Sequence, residues 1–184
     1  MVNNTGSSNV PPLCPSIARA VRVGGVTKRE LLSAFQAHGI ELNATGRILF
    51  AHDEFKTSET SSVFETVEIS VLDLGYEQGA TIAQVHERSA QLGLSLCPLE
   101  LAPHLRLQYL DQPEGDWGHP PSQHRAPPGS ITVASAPLGE DNNLPKGFYL
   151  RRIKSVLWLR GYRSGAEHIW SAEDRFVFCR ANAA

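Results

Sequence analysis

Cysteine is scarce in this sequence, and the few cysteines present are scattered. Cys14, Cys97 and Cys179 are spread over 184 residues. An odd, sparse set favours reduced thiols, and we interpret Cys97 and Cys179 as small buried hydrophobic residues in apolar surroundings. The scarcity excludes the class of small secreted domains held together by disulfides.

Long apolar runs are also missing. No uninterrupted apolar stretch approaches the roughly 18 residues of a transmembrane helix. Met1 to Ser16 is rich in Asn, Ser and Pro and has no basic start followed by an apolar stretch, so a signal peptide is not expected. We therefore expect a cytoplasmic protein without membrane contact, whose 41% hydrophobic and 20% charged residues suit a folded chain.

The spacings that mark known chemistries are absent. The chain contains no G-x-x-x-x-G-K-[ST] phosphate loop, no G-x-S-x-G nucleophile elbow, and no C-x-x-C or H-E-x-x-H metal pattern. Catalysis needs an arranged nucleophile, acid or base, and none can be assembled from the sequence. We accordingly expect no cofactor and no bound metal, and we favour a non-enzymatic protein.

Capping signals mark the N-terminal part. Residues 1–16 are predicted to be a disordered tail. Thr27 and Glu30 form a capping box for a helix over about residues 28–38, and Asn43 caps a second helix that reaches Ala51 with Ile48, Leu49 and Phe50 turned inward. We therefore predict a helical hairpin over residues 17–55. Its spacing also resembles a helix-turn-helix, but the second helix offers only Arg47 for reading DNA.

Residues 60–184 are predicted to form an α+β domain. Val67, Ile69 and Val71 alternate with polar residues, and a second capping box starts a helix at Thr81 that ends at Gly93. Prolines cut residues 94–110, so we expect extended pieces there, with Leu105 and Leu107 alternating against Arg106 and Gln108. Strands over residues 131–133, 148–153, 156–162 and 176–179 complete a mixed or antiparallel sheet that ends in a β-meander.

The two capped helices echo each other at a spacing of 54 residues. Gly25, Thr27 and Gly39 recur as Gly79, Thr81 and Gly93. An internal duplication explains the echo, and so does the general form of a well-capped helix that leads into an extended stretch. Both explanations stay open.

Charge is segregated along a chain whose net charge is −2. Residues 1–29 carry four basic residues and no acid, residues 30–145 carry an excess of acids, and residues 146–184 are basic again. We favour basic ends that fold back on an acidic middle; the alternative is a basic face for an anionic partner.

Several stretches carry a resemblance. The run LGLSLCPLELAPHLRLQYLDQPEG over residues 92–115, with VLWL at 156–159 and DRFVF at 174–178, resembles a family of uncharacterised bacterial proteins. The resemblance covers residues 64–180. It implies a shared fold unit and no mechanism.

The candidate recognition surface combines a long loop with the last strands. Residues 111–129 are rich in proline and glycine, and loops of that length in compact domains are often functional. Residues 148–163 interleave aromatic and basic side chains. We predict a binding module for a protein or a small polar ligand. Its binding residues are Trp117, His119, His124, Arg151, Arg152, Trp158, Arg160, Tyr162 and Arg163.

Two alternatives remain. A hydrolase or metal-dependent enzyme would use His104, His119 and His124 with the acids Asp111, Glu114 and Asp116. A nucleic-acid-binding protein would stack bases on Trp158 between the arginines. Against the latter we expect Trp158 to belong to the core, where rings in a small sheet usually pack.

Overall fold

The computed structural model describes residues 16–115, 126–139, 141 and 143–180. The helices are α1 (Lys28–Ala37), α2 (Ala44–Ala51), α3 (Ile82–Gln91) and α4 (Leu101–Gln108). The strands are β1 (Ile17–Val23), β2 (Ile40–Leu42), β3 (Ser62–Ser70), β4 (Ala80–Thr81), β5 (Leu94–Ser95), β6 (Ile131–Val133), β7 (Gly147–Ile153), β8 (Val156–Tyr162), β9 (Ile169–Trp170) and β10 (Arg175–Arg180). The fold is α+β, as the sequence predicts.

One mixed sheet dominates the structure. Its order is β1-β3-β10-β6-β7-β8-β2, with β5 pairing beside β10. The β10–β6 and β2–β8 pairs are parallel and the others are antiparallel. Strands β6, β7 and β8 do run as a meander, but β10 leaves it and inserts between β3 and β6. Strands β4 and β9 form a separate two-stranded sheet.

The predicted N-terminal helical hairpin is wrong, because a strand comes first. In β1 the side chains of Val21 and Val23 are buried while Arg22 is exposed, which is the two-residue period of a half-buried strand. The supposed turn between the helices contains β2, which pairs with β8. Within α2, Leu49 is buried but Ile48 is 43% exposed, so only part of its apolar run faces inward.

Both predicted capping boxes are present. The Thr27 side chain accepts from the Glu30 amide at 3.3 Å, and the Thr81 side chain accepts from the Gln84 amide at the same distance. Each helix has ten residues and is followed by a glycine with positive φ, 62° at Gly39 and 74° at Gly93. The local structure therefore repeats, although β2 and β5 pair with different strands.

Helix α4 corrects the expectation of extended pieces over residues 94–110. Pro103 is the third residue of α4, where the backbone N–H has no acceptor inside the helix. A proline therefore costs little there. In consequence Leu105 and Arg106 are both buried instead of alternating.

Two cores lie on opposite faces of the sheet. On the inner face, sheet residues pack against α1, α2 and α4, and the Phe50 ring lies 5.8 Å from Phe35, 5.1 Å from Phe55 and 5.9 Å from Phe148. On the outer face, α3 and Trp170 cover β3 and β10. Burial of each large apolar side chain stabilises the fold by roughly 1.5–3 kcal/mol.

Residues 17–55 and the later part of the chain contribute to the same inner core. That residues 1–16, 17–55 and 60–184 form separate units stays a prediction. In the part of the chain that the structure describes, no helix combines the length and apolarity that crossing a membrane would require.

Candidate functional site

The outer face of the β7–β8 hairpin carries alternating rings and guanidinium groups. Tyr149 lies opposite Arg160, and Arg151 lies opposite Trp158. All four side chains are half-buried, whereas Leu150 and Leu159 on the inner face are fully buried. We call Tyr149, Arg151, Trp158 and Arg160 the aromatic–basic face. The predicted strand alternation places them together.

Trp158 is not a core residue, contrary to our expectation. It belongs to neither hydrophobic cluster. Among the described residues, Tyr162 of β8 packs against the outer core, whereas Trp158 does not. The Trp158 side chain is half-buried on the same side of the sheet.

Arg160 is held against the two rings of this face. Its Cζ lies 5.1 Å from the Trp158 ring centroid and 6.0 Å from that of Tyr149. Cation–π contacts of this kind contribute about 0.5–1 kcal/mol at exposed sites. The Arg160 Nε is buried and has no hydrogen-bond acceptor among the described residues. The guanidinium is thus positioned by rings and not by an acid.

Arg151 and Arg160 influence each other across the face. The pKa of Arg151 is lowered, mainly by burial, with Tyr149 opposing the shift and the charge of Arg160 adding to it. The two guanidinium groups therefore repel each other.

A cavity of about 380 Å³ adjoins the face. Tyr149 belongs to both, so the two are continuous. The described residues that line the cavity include no Asp or Glu. They are Ala126, Pro127, Ser130, Thr132, Tyr149, Gly161, Tyr162, Arg163, Ser164, Gly165, His168 and Trp170. Hydroxyl groups, rings and two potential cations thus surround a volume large enough for a small ligand.

Tyr162 forms part of this cavity wall. Its ring meets Trp170 edge-on at 5.7 Å, and burial raises the pKa of its hydroxyl. The phenol therefore stays protonated at neutral pH. Sequence reasoning found Tyr162 and Arg163 but missed Thr132 and Trp170, which come from other segments and carry no local signal.

Arg152 lies away from the face. It follows Arg151 in β7, so its side chain points to the inner side of the sheet, where Nη1 donates to the Gln112 carbonyl at 3.4 Å. The Arg163 Nε donates to the Asn143 carbonyl at 3.1 Å. Trp117, His119 and His124 lie outside the described residues, and their part in binding stays a prediction.

The described ends of the 111–129 loop are anchored at the hairpin. Gln112 is fully buried and donates to the carbonyls of Gly129 at 3.0 Å and Leu150 at 3.3 Å. Its Oε1 accepts from Arg106, a fully buried arginine whose pKa burial lowers to about 10. Glu114 accepts from the Ser155 amide at the hairpin turn. The described ends of the loop therefore contact the backbone of the β7–β8 hairpin.

His104, a predicted site residue of the alternative enzyme, has a structural role. It is buried, and its Nε2 accepts from the Gly24 amide at 3.1 Å. Burial lowers its pKa, and Glu100 partly opposes this. The lone pair of the His104 Nε2 is thus already engaged in this hydrogen bond. Within residues 16–115, 126–139, 141 and 143–180, no three His, Cys, Asp or Glu side chains cluster to hold a metal.

No family model, curated protein or solved structure matches this chain. The resemblance to a bacterial family over residues 64–180 accordingly stays a prediction, and the function has to be argued from the site itself.

Proposed function

We propose that this protein is a non-enzymatic binding module that recognises the anionic group of a partner protein or small ligand. The ligand lies on the aromatic–basic face and reaches the neighbouring cavity, and the 111–129 loop flanks it. The observation that carries the proposal is Arg160, whose guanidinium lies over two rings while its Nε has no acceptor in the described part of the chain.

The arrangement favours a carboxylate or phosphate over a stacked base. One side of the Trp158 ring faces the Arg160 guanidinium, so a base stacking there has to displace a cation–π contact. A guanidinium fixed on a ring loses little side-chain entropy when it binds an anion. The module therefore fits an acidic protein segment or a small acid better than a nucleic acid.

A poly-glutamate peptide is a suitable probe, since it presents carboxylates without rings. Wild-type protein should bind it, with a change in tryptophan fluorescence and weaker binding at higher salt. Arg160→Gln should weaken binding about tenfold, which corresponds to about 1.4 kcal/mol. Arg29→Gln, on the exposed surface of α1, is the matched control and should bind like the wild type. Equal affinities for all three proteins would refute the proposal.

Nucleic-acid binding is the second candidate, because Trp158 lies on the surface of the sheet. Binding of oligo-dT should then fall with salt by a slope of about −0.7 per phosphate contacted, and Trp158→Ala should lose roughly 1–3 kcal/mol without unfolding. Binding of the peptide but not of oligo-dT favours the first proposal. The reverse result favours the second.

The location of the protein in the cell is part of the same proposal. We keep the cytoplasm as the expected location because the sparse, odd set of cysteines suits reduced thiols. A partner or ligand in the cytoplasm would follow from this placement.

A further inference from the structure

Two cysteines that are distant in sequence meet in the inner core. The Sγ atoms of Cys97 and Cys179 are 3.3 Å apart, although 82 residues separate them. Both are free thiols, 3% and 4% exposed. Interpreting each as an independent small hydrophobic residue misses this contact.

Three segments of backbone hold the pair together. Cys179 is paired with Ser95 of β5, and Cys97 lies two residues further along the same segment. The Cys97 amide donates to the Ala134 carbonyl at 2.7 Å, and its thiol contacts the Val177 carbonyl at 3.5 Å. The backbone pairing of these segments therefore brings the two thiols together, whatever rotamers the side chains adopt.

We infer that Cys97 and Cys179 form a reversible oxidative modification site, at which a peroxide joins the two thiols in an intramolecular disulfide. This inference is independent of the anion-binding surface. The S–S bond length of about 2.05 Å requires the sulfurs to approach by roughly 1.3 Å. That approach has to come from a small shift of the Cys97 segment, which pairs with β10 through only two residues and with Ser135 through a single bridge.

One molecule of peroxide is enough to oxidise the two thiols to a disulfide. The Cys179 thiolate attacks a peroxide oxygen, the O–O bond breaks, and a sulfenic acid and hydroxide form; the hydroxide takes up the proton that the Cys179 thiol released and becomes water. The Cys97 sulfur then attacks the Cys179 sulfur, the S–S bond forms, and the S–O bond breaks. The departing hydroxyl and the Cys97 proton leave as water. Two electrons pass from the sulfur pair to the peroxide.

The order of attack follows from the pair itself. The contact between the two thiols lowers the pKa of Cys179, while the same contact and burial raise the pKa of Cys97. Cys179 is thus the thiol that ionises first. Cys97 serves as the resolving thiol.

The disulfide would fix α4 relative to the sheet. Cys97 lies four residues before Leu101, where α4 begins, and Cys179 lies in β10 at the centre of the sheet. Helix α4 contacts β1 through Gln108, and its His104 contacts Gly24 just after the strand. Oxidation therefore connects the central strand covalently to the helix that holds the edge strand.

Intact mass and peptide mapping test this inference in a Cys14→Ser background, which removes the third thiol. Folded protein is treated with hydrogen peroxide and then alkylated in denaturant. The expected result is loss of two hydrogen atoms, no alkylation at either cysteine, a cross-linked peptide that joins Cys97 to Cys179, and full reversal by dithiothreitol. The oxidised protein should also unfold at a higher temperature than the reduced protein.

Single Cys97→Ala and Cys179→Ala variants should lose the cross-link, and Cys179→Ala should react more slowly with peroxide than Cys97→Ala. If either variant fails to fold, the peptide map of the Cys14→Ser protein decides alone. Two thiols that stay alkylatable after peroxide would overturn the inference. So would over-oxidation of Cys179 without a cross-link.

Discussion

Individual side chains in this protein satisfy backbone groups that secondary structure leaves unpaired. His104 accepts the Gly24 amide, and Gln112 donates to two carbonyls of the sheet and loop. A buried unpaired group of this kind costs about 1–3 kcal/mol, so these hydrogen bonds stabilise the fold. The sequence showed His104 only as a candidate base, because its partner lies 80 residues away.

The free energy of unfolding should decrease as the pH is lowered, because His104 titrates. Because burial lowers its folded pKa below the unfolded value of about 6.5, the unfolded state takes up the proton first as the pH falls. The stabilisation is complete above pH of about 6.5 and is lost as pH falls towards the folded pKa. Urea unfolding of wild-type protein at pH 7 and pH 5 measures this loss.

His104→Gln should reduce that pH dependence, since the amide oxygen accepts from Gly24 without titrating. Some dependence should remain, because burial also lowers the pKa of His86. His38→Gln, at an exposed position, is the matched control and should behave like the wild type. An unchanged pH dependence in His104→Gln would contradict the assignment.

At the scale of elements, α4 protects the edge of the sheet. Strand β1 pairs with β3 on one side only. On its other side the Gln108 amide accepts from the Arg22 N–H at 3.0 Å and donates to the Arg22 carbonyl at 2.8 Å, as a neighbouring strand would. Covering an edge in this way blocks pairing with a second chain.

Gln108→Ala should therefore expose the Arg22 backbone. We expect a loss of about 1 kcal/mol in the free energy of unfolding and faster hydrogen exchange at the Arg22 amide. Gln36→Ala, on the exposed surface of α1, serves as the control and should change neither quantity appreciably. Unchanged exchange at Arg22 in Gln108→Ala would show that this contact is not formed in solution.

At the scale of the whole molecule, the ends of the chain fold back on its middle. Glu68, only 3% exposed, accepts from Arg19 at 2.7 Å and from Arg175 at 2.5 Å. One arginine comes from the basic start, the other from the basic end, and the acid from the acidic middle. The described structure thus supports our preferred explanation of the segregated charge at this site, while the aromatic–basic face leaves room for an anionic partner as well.

The residues before 60 should be indispensable to the fold. They supply β1 and β2, which lie at opposite ends of the sheet, and nine buried members of the inner core. A fragment of residues 60–184 should consequently lack a cooperative thermal transition, whereas the full chain should show one. A sharp melt and a dispersed NMR spectrum from the fragment would restore the predicted separate units.

The sequence by itself determined the features whose signals lie within a few residues of one another. The capping boxes at Thr27 and Thr81 and the alternation along β8 predicted α1, α3 and the grouping of Trp158 with Arg160. The same alternation separates Arg152 from Arg151, a consequence we did not draw. Local rules also overstated how strongly proline disrupts a helix, since Pro103 fits the first turn of α4.

Only the tertiary structure decided which distant segments meet. The insertion of β10 between β3 and β6, the position of Tyr149 opposite Arg160, and the contact of Cys97 with Cys179 each join separate stretches of chain. Such pairings follow from the combined burial and hydrogen bonding of the whole sheet, which no short window of sequence contains. The cavity exists for the same reason.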